Sequence, residues 1–254
     1  MDKPDNSCVF CAVKNVALYA QRSNKICRFF ETDIFNYKTI GYLNAGQTVF
    51  DHNKFPDKFF ILKSGLISLS LGFRDGSRQI LRFVLPGEIF GIQPSGTLLH
   101  HATAEAVTTS TYCTQPVEAL EVLVGGTPEI AACYVSLLER DLLILQNSLV
   151  NLGRRDALSR VAYLLIELAV RSSGHFPLIT GYEYKIPLVQ RLIAEATGLT
   201  LIHVNRMLKK LRLEGYLYFR DGELSMLNWT KIEKLLDLGS DSQSALEMFK
   251  ARVN

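Results

Sequence analysis

The sequence lacks an apolar run long enough to cross a bilayer. Its most hydrophobic helical stretch, VAYLLIELAV at 161–170, is about half of a bilayer span and contains Glu167. The N-terminal segment MDKPDNSCVF has no basic start followed by an apolar run, so no secretory signal is predicted. We therefore expect a cytoplasmic protein that does not associate with a membrane.

A strong charge of one sign is also missing. The 28 Lys and Arg residues nearly balance the 25 Asp and Glu residues, which gives a net charge of +3. This total is weak evidence for a polyanionic partner, and local clustering of charge matters more. A hydrophobic content of 48% over 254 residues is typical of a globular chain, and this length suits two domains with their connections.

Cysteines are few and odd in number. Five are present, at positions 8, 11, 27, 113 and 133. Without a secretory signal, an odd set argues against a disulfide framework. Metal binding, redox sensing and inert buried thiols remain as alternatives for them.

Motifs of the common enzyme classes are absent as well. The sequence has no nucleophile elbow, phosphate loop or metal-hydrolase motif. His100, His101 and Glu88 have no identifiable chemical partner in the sequence. We interpret the histidines as surface or core residues and Glu88 as a turn residue at the end of a strand. The chain is not expected to be an enzyme.

Residues 38–125 have the composition of short strands separated by turns. β-Branched and aromatic residues are frequent there, glycines punctuate them, and Asp75-Gly76 predicts a tight hairpin turn. Because the strands are spaced roughly evenly, a barrel or roll is favoured.

A long helix is predicted to follow, with Thr127 as N-cap and Pro128 at the first helical position. Apolar residues alternate there at spacings of three and four, which is typical of the seam of a helix pair. The seam consists of Val135, Leu138, Leu142, Leu145, Leu149 and Leu152. A seam of this regularity indicates a two-fold helix pair and hence a homodimer. The alternative is that these residues pack on their own domain.

The C-terminal part has the pattern of a small helical domain with a hairpin. An amphipathic helix is predicted over 154–173, and a loop or short ribbon over 174–184. Two further helices, over 188–196 and 201–213, are separated by the tight turn Gly198-Leu199-Thr200. This arrangement predicts a helix-turn-helix, whose second helix enters the major groove of DNA. Two short strands around Asp221-Gly222 would form the wing, and the tail from Trp229 to Asn254 is predicted to be helical.

The second helix of this pair carries the candidate DNA contacts. Val204, Met207, Leu208 and Leu211 would form a buried stripe, and the opposite face holds Ile202, Asn205, Arg206 and Lys209. Arg206 could donate two parallel hydrogen bonds to guanine, and Asn205 could pair with adenine or a phosphate. Lys209, Lys210 and Arg212 suit phosphates. The alternative is an ordinary basic helix exposed to solvent.

The sequence resembles the CRP/FNR family of bacterial transcription regulators over nearly its whole length. The matching segments are AGQTVF (45–50), FFILKSGLISL (59–69), LPGEIFG (85–91), the long helix, and IPLVQRLIAEATGLTLIHVNRMLKKLRLEG (186–215). The resemblance implies an α+β fold with an N-terminal β-roll sensor domain of the cupin-like or cyclic-nucleotide-binding type, a long dimerisation helix and a C-terminal winged helix-turn-helix. It also implies a homodimer that reads a palindromic site in double-stranded DNA and contacts RNA polymerase. The corresponding boundaries are 1–126, 127–153 and 154–230, with a C-terminal helical extension over 231–254.

The chain departs from this family in the helix that reads DNA. Many members place Glu two residues after the turn Thr, which is Thr200 here, and that position is Ile202. Arg206 stands where the family has its base-reading Arg. Ile202 is therefore predicted to contact a thymine methyl group, and His203 a phosphate or a base.

The resemblance also bears on the signal that the roll would sense. Members that bind cyclic nucleotides use the Glu of the PGE segment, here Glu88, and an Arg-Ser/Thr pair, which His100 and His101 replace. Because neutral imidazoles neutralise a phosphate poorly, cyclic AMP is not the expected ligand.

The oxygen-sensing branch of the family looks closer. It ligates a [4Fe–4S] cluster with three N-terminal cysteines and one near the end of the roll, and Cys8, Cys11 and Cys113 lie at matching places. The remaining N-terminal cysteine is absent from its usual position, and Cys27 is the nearby substitute. A site that no longer binds iron and an oxidation-sensitive thiol pair are the alternatives. Cys133 is interpreted as a packing residue.

The main hypothesis is a DNA-binding regulator controlled by redox state, oxygen or a small molecule. A ligand-binding or structural module that uses its helices for protein partners is the alternative.

Overall fold

The computed structural model describes residues 39–52, 54–55, 57–92, 99–126 and 128–238. The described residues divide into two compact units, one formed by those up to Leu71 together with those of Phe83–Leu142, the other by Gly72–Arg82 together with those from Leu143 to Leu238. Among the predicted residues, Cys8, Cys11, Cys27 and Thr127 lie outside the described residues, as does the side chain of Cys133.

Eight strands form the N-terminal β-roll, in agreement with the predicted run of short strands. Their order is β2-β7-β4-β5 in one four-stranded sheet and β1-β8-β3-β6 in the other. β8 pairs antiparallel with β1 and β3, and β7 pairs antiparallel with β2 and β4. The strands are β1 (Thr39–Leu43), β2 (Thr48–Phe50), β3 (Lys58–Ser64), β4 (Ile67–Gly72), β5 (Arg78–Val84), β6 (Ile89–Phe90), β7 (Thr103–Ala106) and β8 (Ser110–Pro116).

Strand β3 is buried on both of its faces. Because successive side chains of a strand point to opposite sides, Phe59 and Ile61 belong to one apolar cluster, and Phe60 and Leu62 to another. The first cluster also includes Leu137 of the long helix. Double-sided burial explains why β3 is a continuous apolar run and not an alternating one.

A helix, α1 (Val117–Gly126), follows β8 directly, where the sequence was interpreted as strands up to residue 125. The prediction was wrong here because the strand-like composition ends at Pro116. Val117 and Leu120 are buried and Val124 packs against the same cluster, a spacing that buries one side of a helix.

The long helix α2 (Pro128–Arg154) begins at the predicted proline and is continuous to Arg154. The next helix, α3 (Ala157–Ser173), starts three residues later than predicted. The break lies at Arg155-Asp156 and not at Gly153, because the Asp156 carboxylate accepts a hydrogen bond of 2.8 Å from the Ser159 backbone N–H and caps α3.

The remaining elements form a winged helix-turn-helix. They are β9 (Glu183–Lys185), α4 (Gln190–Thr197), α5 (Leu201–Leu213), β10 (Leu217–Arg220), β11 (Glu223–Met226) and α6 (Trp229–Leu236). The three strands form a sheet of order β10-β11-β9. The bounds of α5 are those predicted, whereas α4 starts two residues later, after Pro187 and the buried Leu188. None of the helices in these described ranges is both long and apolar enough to cross a membrane.

Candidate nucleic-acid interface

The turn between α4 and α5 is built from a glycine and a capping threonine. Gly198 has a φ of 65°, a left-handed conformation that side chains of L-amino acids rarely adopt, and its N–H donates to the Ala194 carbonyl. Thr200 caps α5 by accepting a hydrogen bond of 3.2 Å from the His203 backbone N–H. The turn therefore ends one helix and starts the next within three residues.

The inner side of α5 holds it on the domain. Val204, Leu208 and Leu211 are buried, and α5 packs against α3 and α4. Met207, which was predicted to belong to this buried stripe, is only half-buried. Val204, Leu208 and Leu211 follow one another at spacings of four and three, so they lie in one line along the helix. Met207 lies to one side of this line.

The outer side of α5 is polar at its centre and apolar at its start. Asn205, Arg206, Lys209 and Lys210 are exposed, Ile202 is 80% exposed, and His203 is half-buried. Among the described residues, no hydrogen bond or ion pair engages the side chains of Asn205, Arg206 or Lys209. These donors are therefore available to a ligand.

A groove of about 900 Å³ lies between α5 and the hairpin of β10 and β11. One wall is the start of α4 with the residues just before it, and another is the polar side of α5. The residues that line this groove are Pro187, Leu188, Val189, Gln190, Asn205, Leu208, Lys209, Arg212, Tyr218, Phe219, Arg220, Asp221 and Gly222. Lys209, Arg212 and Arg220 bring three positive charges to it against the single carboxylate of Asp221.

The hairpin turn is held close to the start of α4. Asp221 and Gly222 both have positive φ angles, 52° and 82°, as a two-residue turn requires. A Cβ atom on Gly222 would lie 3.3 Å from Cα of Pro187, and the Ile186 N–H donates to the Gly222 carbonyl at 2.7 Å. Glycine is needed here for its conformation and for this close approach.

An acidic residue on α4 is neutralised by an arginine that sequence analysis did not single out. Nε and Nη2 of Arg78 lie 2.9 and 2.7 Å from the same carboxylate oxygen of Glu195. Arg191 lies 3.5 Å from the other oxygen. These contacts reduce the repulsion that the Glu195 carboxylate would exert on a phosphate. Because Arg78 and Glu195 are 117 residues apart, no local pattern pairs them.

Helix α2 presents two opposite faces. Leu137, Arg140, Ile144 and Asn151 are buried against the described part of the chain. The predicted seam residues Val135, Leu138, Leu142, Leu145 and Leu149, called here the apolar stripe, are between 43% and 72% exposed. Leu152 is half-buried and lies near Gly198. The apolar stripe is therefore not part of the core formed by the described residues.

Three residues of the roll stand where other family members bind a cyclic nucleotide, and they lie in the interior of the roll or at its border: Glu88, His100 and His101. Glu88 follows the Pro86-Gly87 turn directly before β6, and its side chain is fully buried. His100 is buried and stacks on Phe50 with a centroid distance of 3.9 Å, whereas His101 is exposed. Burial lowers the pKa of His100, and the neighbouring charge of Asp57 partly opposes this effect. The roll thus favours a neutral imidazole at this position.

Cys113 lies in β8 between Ile40 of β1 and Ile61 of β3. Its side chain is buried in the apolar cluster that includes Phe59 and Leu137. No group of three or more His, Cys, Asp or Glu side chains placed to hold a metal ion occurs within the described ranges. The other three predicted cluster ligands lie outside those ranges.

Comparisons with known proteins agree with this architecture. Residues 41–125 match the family model of the cyclic nucleotide-binding domain, and residues 159–235 match that of the Crp-like helix-turn-helix domain. The chain is 28% identical over 226 residues to the nitrogen fixation regulation protein FixK of Bradyrhizobium diazoefficiens, which covers 85% of this chain and 91% of that protein. It is 25% identical over 186 residues to the transcriptional activator protein FnrA of Stutzerimonas stutzeri, covering 73% of this chain and 75% of the relative.

The fold is also that of a solved relative. The structure of FixK2 from Bradyrhizobium japonicum superposes with a TM-score of 0.70 at 25% identity and covers 78% of this chain and 96% of that one. Together with the two family models and the winged helix-turn-helix built above, these similarities place the chain in the CRP/FNR family of transcription regulators, in agreement with the expected resemblance to its FNR branch.

Proposed function

We propose that this protein is a homodimeric regulator that binds a palindromic DNA site in a sequence-specific way. The observation that carries the proposal is the exposed side of α5, where Asn205, Arg206 and Lys209 have no partner among the described residues. In a helix-turn-helix, this side of the second helix faces the major groove. We assign Arg206 to guanine, to which it would donate two hydrogen bonds, and Asn205 to adenine or a phosphate.

The groove beside α5 provides the contacts that do not depend on sequence. Lys209 and Arg212 line it from α5, and Arg220 lines it from the wing. Arg212 lies over the Tyr218 ring at 5.8 Å, and this contact orients its guanidinium within the groove wall. A phosphate backbone that follows this groove would meet positive charge from both sides.

A binding assay with matched variants tests this assignment. Arg206→Ala is expected to remove the difference in affinity between the selected site and random duplex, because Arg206 is assigned to a base and not to a phosphate. The control is Lys234→Ala, which removes an exposed positive charge on α6 outside the groove. Unchanged discrimination in Arg206→Ala would contradict its assigned role. A mobility shift that fails for all genomic fragments would favour a module that binds protein partners.

The dimer is inferred from the apolar stripe of α2. A row of exposed leucines at a/d spacing is stable in water when a second helix covers it, and two-fold pairing would use the same stripe on both copies. Leu149→Lys is expected to place a charge in this seam and to give monomers in sedimentation. Leu213→Lys changes an equally exposed leucine, 69% against 72%, at the end of α5 and should leave the dimer intact. A Leu149→Lys protein that stays dimeric would contradict the inferred seam.

RNA polymerase is the proposed protein partner of the DNA-bound dimer. This part of the proposal rests on membership of the family. Run-off transcription with purified polymerase on the selected site tests it. Transcription that does not change when the protein occupies its site would contradict it.

The proposed signal enters through the N-terminal roll and shifts the equilibrium between two dimer geometries. Redox state or oxygen is the favoured signal, with a [4Fe–4S] cluster on Cys8, Cys11, Cys27 and Cys113 as its candidate receptor, since four thiolates complete the usual ligand set. Cyclic AMP is not proposed as the signal. The residues at the positions that bind it in other family members have other contacts here: Glu88 accepts a hydrogen bond from the Leu85 N–H and lies next to Arg140, and His100 stacks on Phe50.

Anaerobic purification tests the cluster. The protein is expected to be brown and to contain iron and sulfide, and Cys8→Ala should remove the colour. Cys133→Ala, which changes the cysteine outside the proposed ligand set, should keep it. A colourless, iron-free anaerobic preparation would end the cluster proposal and leave the DNA-binding proposal standing.

A further inference from the structure

The first two residues of α5 are exposed aliphatic side chains. Leu201 is 47% exposed and Ile202 is 80% exposed. They occupy the N-terminal turn, which is the part of the second helix of a helix-turn-helix that approaches base edges. We propose that these two residues, called here the apolar edge, recognise the C5-methyl group of a pyrimidine, so that one position of the DNA half-site is selected by a methyl group. The inference rests on the proposed binding of α5 in the major groove.

The apolar edge takes no part in the two interactions that commonly fix the start of a helix, the cap and the hydrophobic staple. Thr200 caps the start of α5. In a hydrophobic staple, the residues before the cap and four positions after it pack together, and these are Leu199 and the buried Val204. Ile202 takes part in neither arrangement. Isoleucine also has a lower helix propensity than Lys, Arg, Gln or Glu, any of which could stand at this exposed site.

The chemistry of α5 leaves a methyl group as the matching partner of Ile202. The helix sequence LIHVNRMLKKLRL contains no Asp or Glu, so it offers no carboxylate to the amino group of cytosine. Asn205 and Arg206 supply hydrogen bonds suited to adenine and guanine. An aliphatic side chain in the major groove is complementary to the one apolar group exposed there, the C5-methyl of thymine.

The spacing along α5 predicts where this position lies. Ile202 and Arg206 are one turn apart on the same face, which corresponds to about 6 Å along the helix axis. A base-pair step rises about 3.4 Å. The methyl-dependent position is therefore expected within about two base pairs of the guanine that requires Arg206.

Replacing thymine by deoxyuridine isolates the proposed contact, because the two bases pair identically and differ by the methyl group alone. The full-length protein is first used to select its site from random duplexes. Each thymine of the selected half-site is then replaced by deoxyuridine, and the Kd is measured by fluorescence anisotropy. We expect one position in each half-site at which deoxyuridine weakens binding about fourfold, the effect of burying one methyl group. At this position, 5-methylcytosine should bind more tightly than cytosine.

Variants assign the methyl effect to the apolar edge. Ile202→Ala should bind the thymine and deoxyuridine sites with nearly equal affinity, close to that of the wild type for the deoxyuridine site. Leu213→Ala shortens an exposed leucine at the opposite end of α5 and should keep the full difference. Ile202→Glu should shift the preference at this position from thymine to cytosine, because a carboxylate can accept from the cytosine amino group.

The outcomes separate this inference from the proposal on which it rests. If no inverted-repeat sequence is enriched, the proposed function fails and the inference fails with it. If a site is enriched but deoxyuridine has no effect at any thymine, only the inference is overturned. A thymine preference that persists unchanged in Ile202→Ala also overturns it.

Discussion

Nη1 of Arg140 lies 3.9 Å from Oε1 of Glu88, and both side chains are almost completely buried. Glu88 precedes β6 in the roll, whereas Arg140 is on the buried face of α2. Removing one partner of a buried ion pair leaves an uncompensated charge in the interior. We expect Arg140→Ala to lower the free energy of unfolding by about 3–5 kcal/mol, measured by urea denaturation.

Two further variants make this prediction specific. Asp141 also binds Arg140, at 2.8 Å, but its side chain is 30% exposed, so Asp141→Asn should cost much less. The double variant Glu88→Gln, Arg140→Met removes both charges and should be more stable than Arg140→Ala alone. If Asp141→Asn and Arg140→Ala lower the free energy of unfolding equally, the ion pair with Glu88 does not account for the loss in Arg140→Ala.

The buried His100 is expected to make the stability of the roll depend on pH. Desolvation lowers its pKa in the folded state below the ordinary value near 6.5, so protonation favours the unfolded chain. The stability that the neutral ring contributes is fully present above the pKa that His100 has in the unfolded chain. It is lost as the pH falls through the lower pKa of His100 in the folded state. His100→Phe keeps a ring that can stack on Phe50. Urea midpoints at pH 8 and pH 5 should differ less in this variant than in the wild type, and an equal difference would refute the assignment.

The cap of α5 is expected to contribute measurably to the stability of the C-terminal unit. Thr200→Ala removes the oxygen that accepts from the His203 N–H and should cost about 1 kcal/mol in urea denaturation. Thr200→Ser keeps this oxygen and should recover most of the loss. If the serine variant is as unstable as the alanine variant, the capping hydrogen bond is not the source of the stability that Thr200 contributes.

The salt dependence of DNA binding is expected to distinguish Lys209 from Arg206. Lys209 lines the groove assigned to the phosphate backbone, so Lys209→Ala should weaken binding to all duplexes and lower the slope of log Kd against log salt by about one. Anisotropy titrations at several salt concentrations measure this slope. A Lys209→Ala protein with an unchanged slope but altered base preference would reverse the two assignments.

Local sequence signals were sufficient to predict the elements whose structure is decided by their neighbours in sequence. The bounds of α5 follow from Thr200, a strong cap, and from an apolar spacing that local sequence contains in full. The hairpin at Asp221-Gly222 follows from turn chemistry in the same way. The a/d spacing predicts which residues form the apolar stripe, whereas their exposure follows from the burial of the opposite face of α2 on the rest of the described chain.

Contacts between distant parts of the chain could not be predicted. The pairing of Arg140 with Glu88 depends on how α2 packs on the roll, which the local sequence does not show. Likewise, the partner of Glu195 is Arg78, the first residue of β5. Periodicity shows which face of an element is apolar, but it does not show which charged residue will lie opposite. The start of α3 was misplaced for a local reason, because the cap Asp156 outweighed the more conspicuous Gly153.

The continuity of α2 restricts how its length can change in evolution. Inserting one residue after Arg140 would turn every later position by about 100° about the helix axis. Ile144 would then leave the interior for the position of Leu145, and Ser148 would take the position of Leu149 in the apolar stripe. An insertion or deletion of seven residues, about two turns, returns both faces to register. Natural homologues should therefore differ in this helix by whole heptads and place their other length changes in the loops.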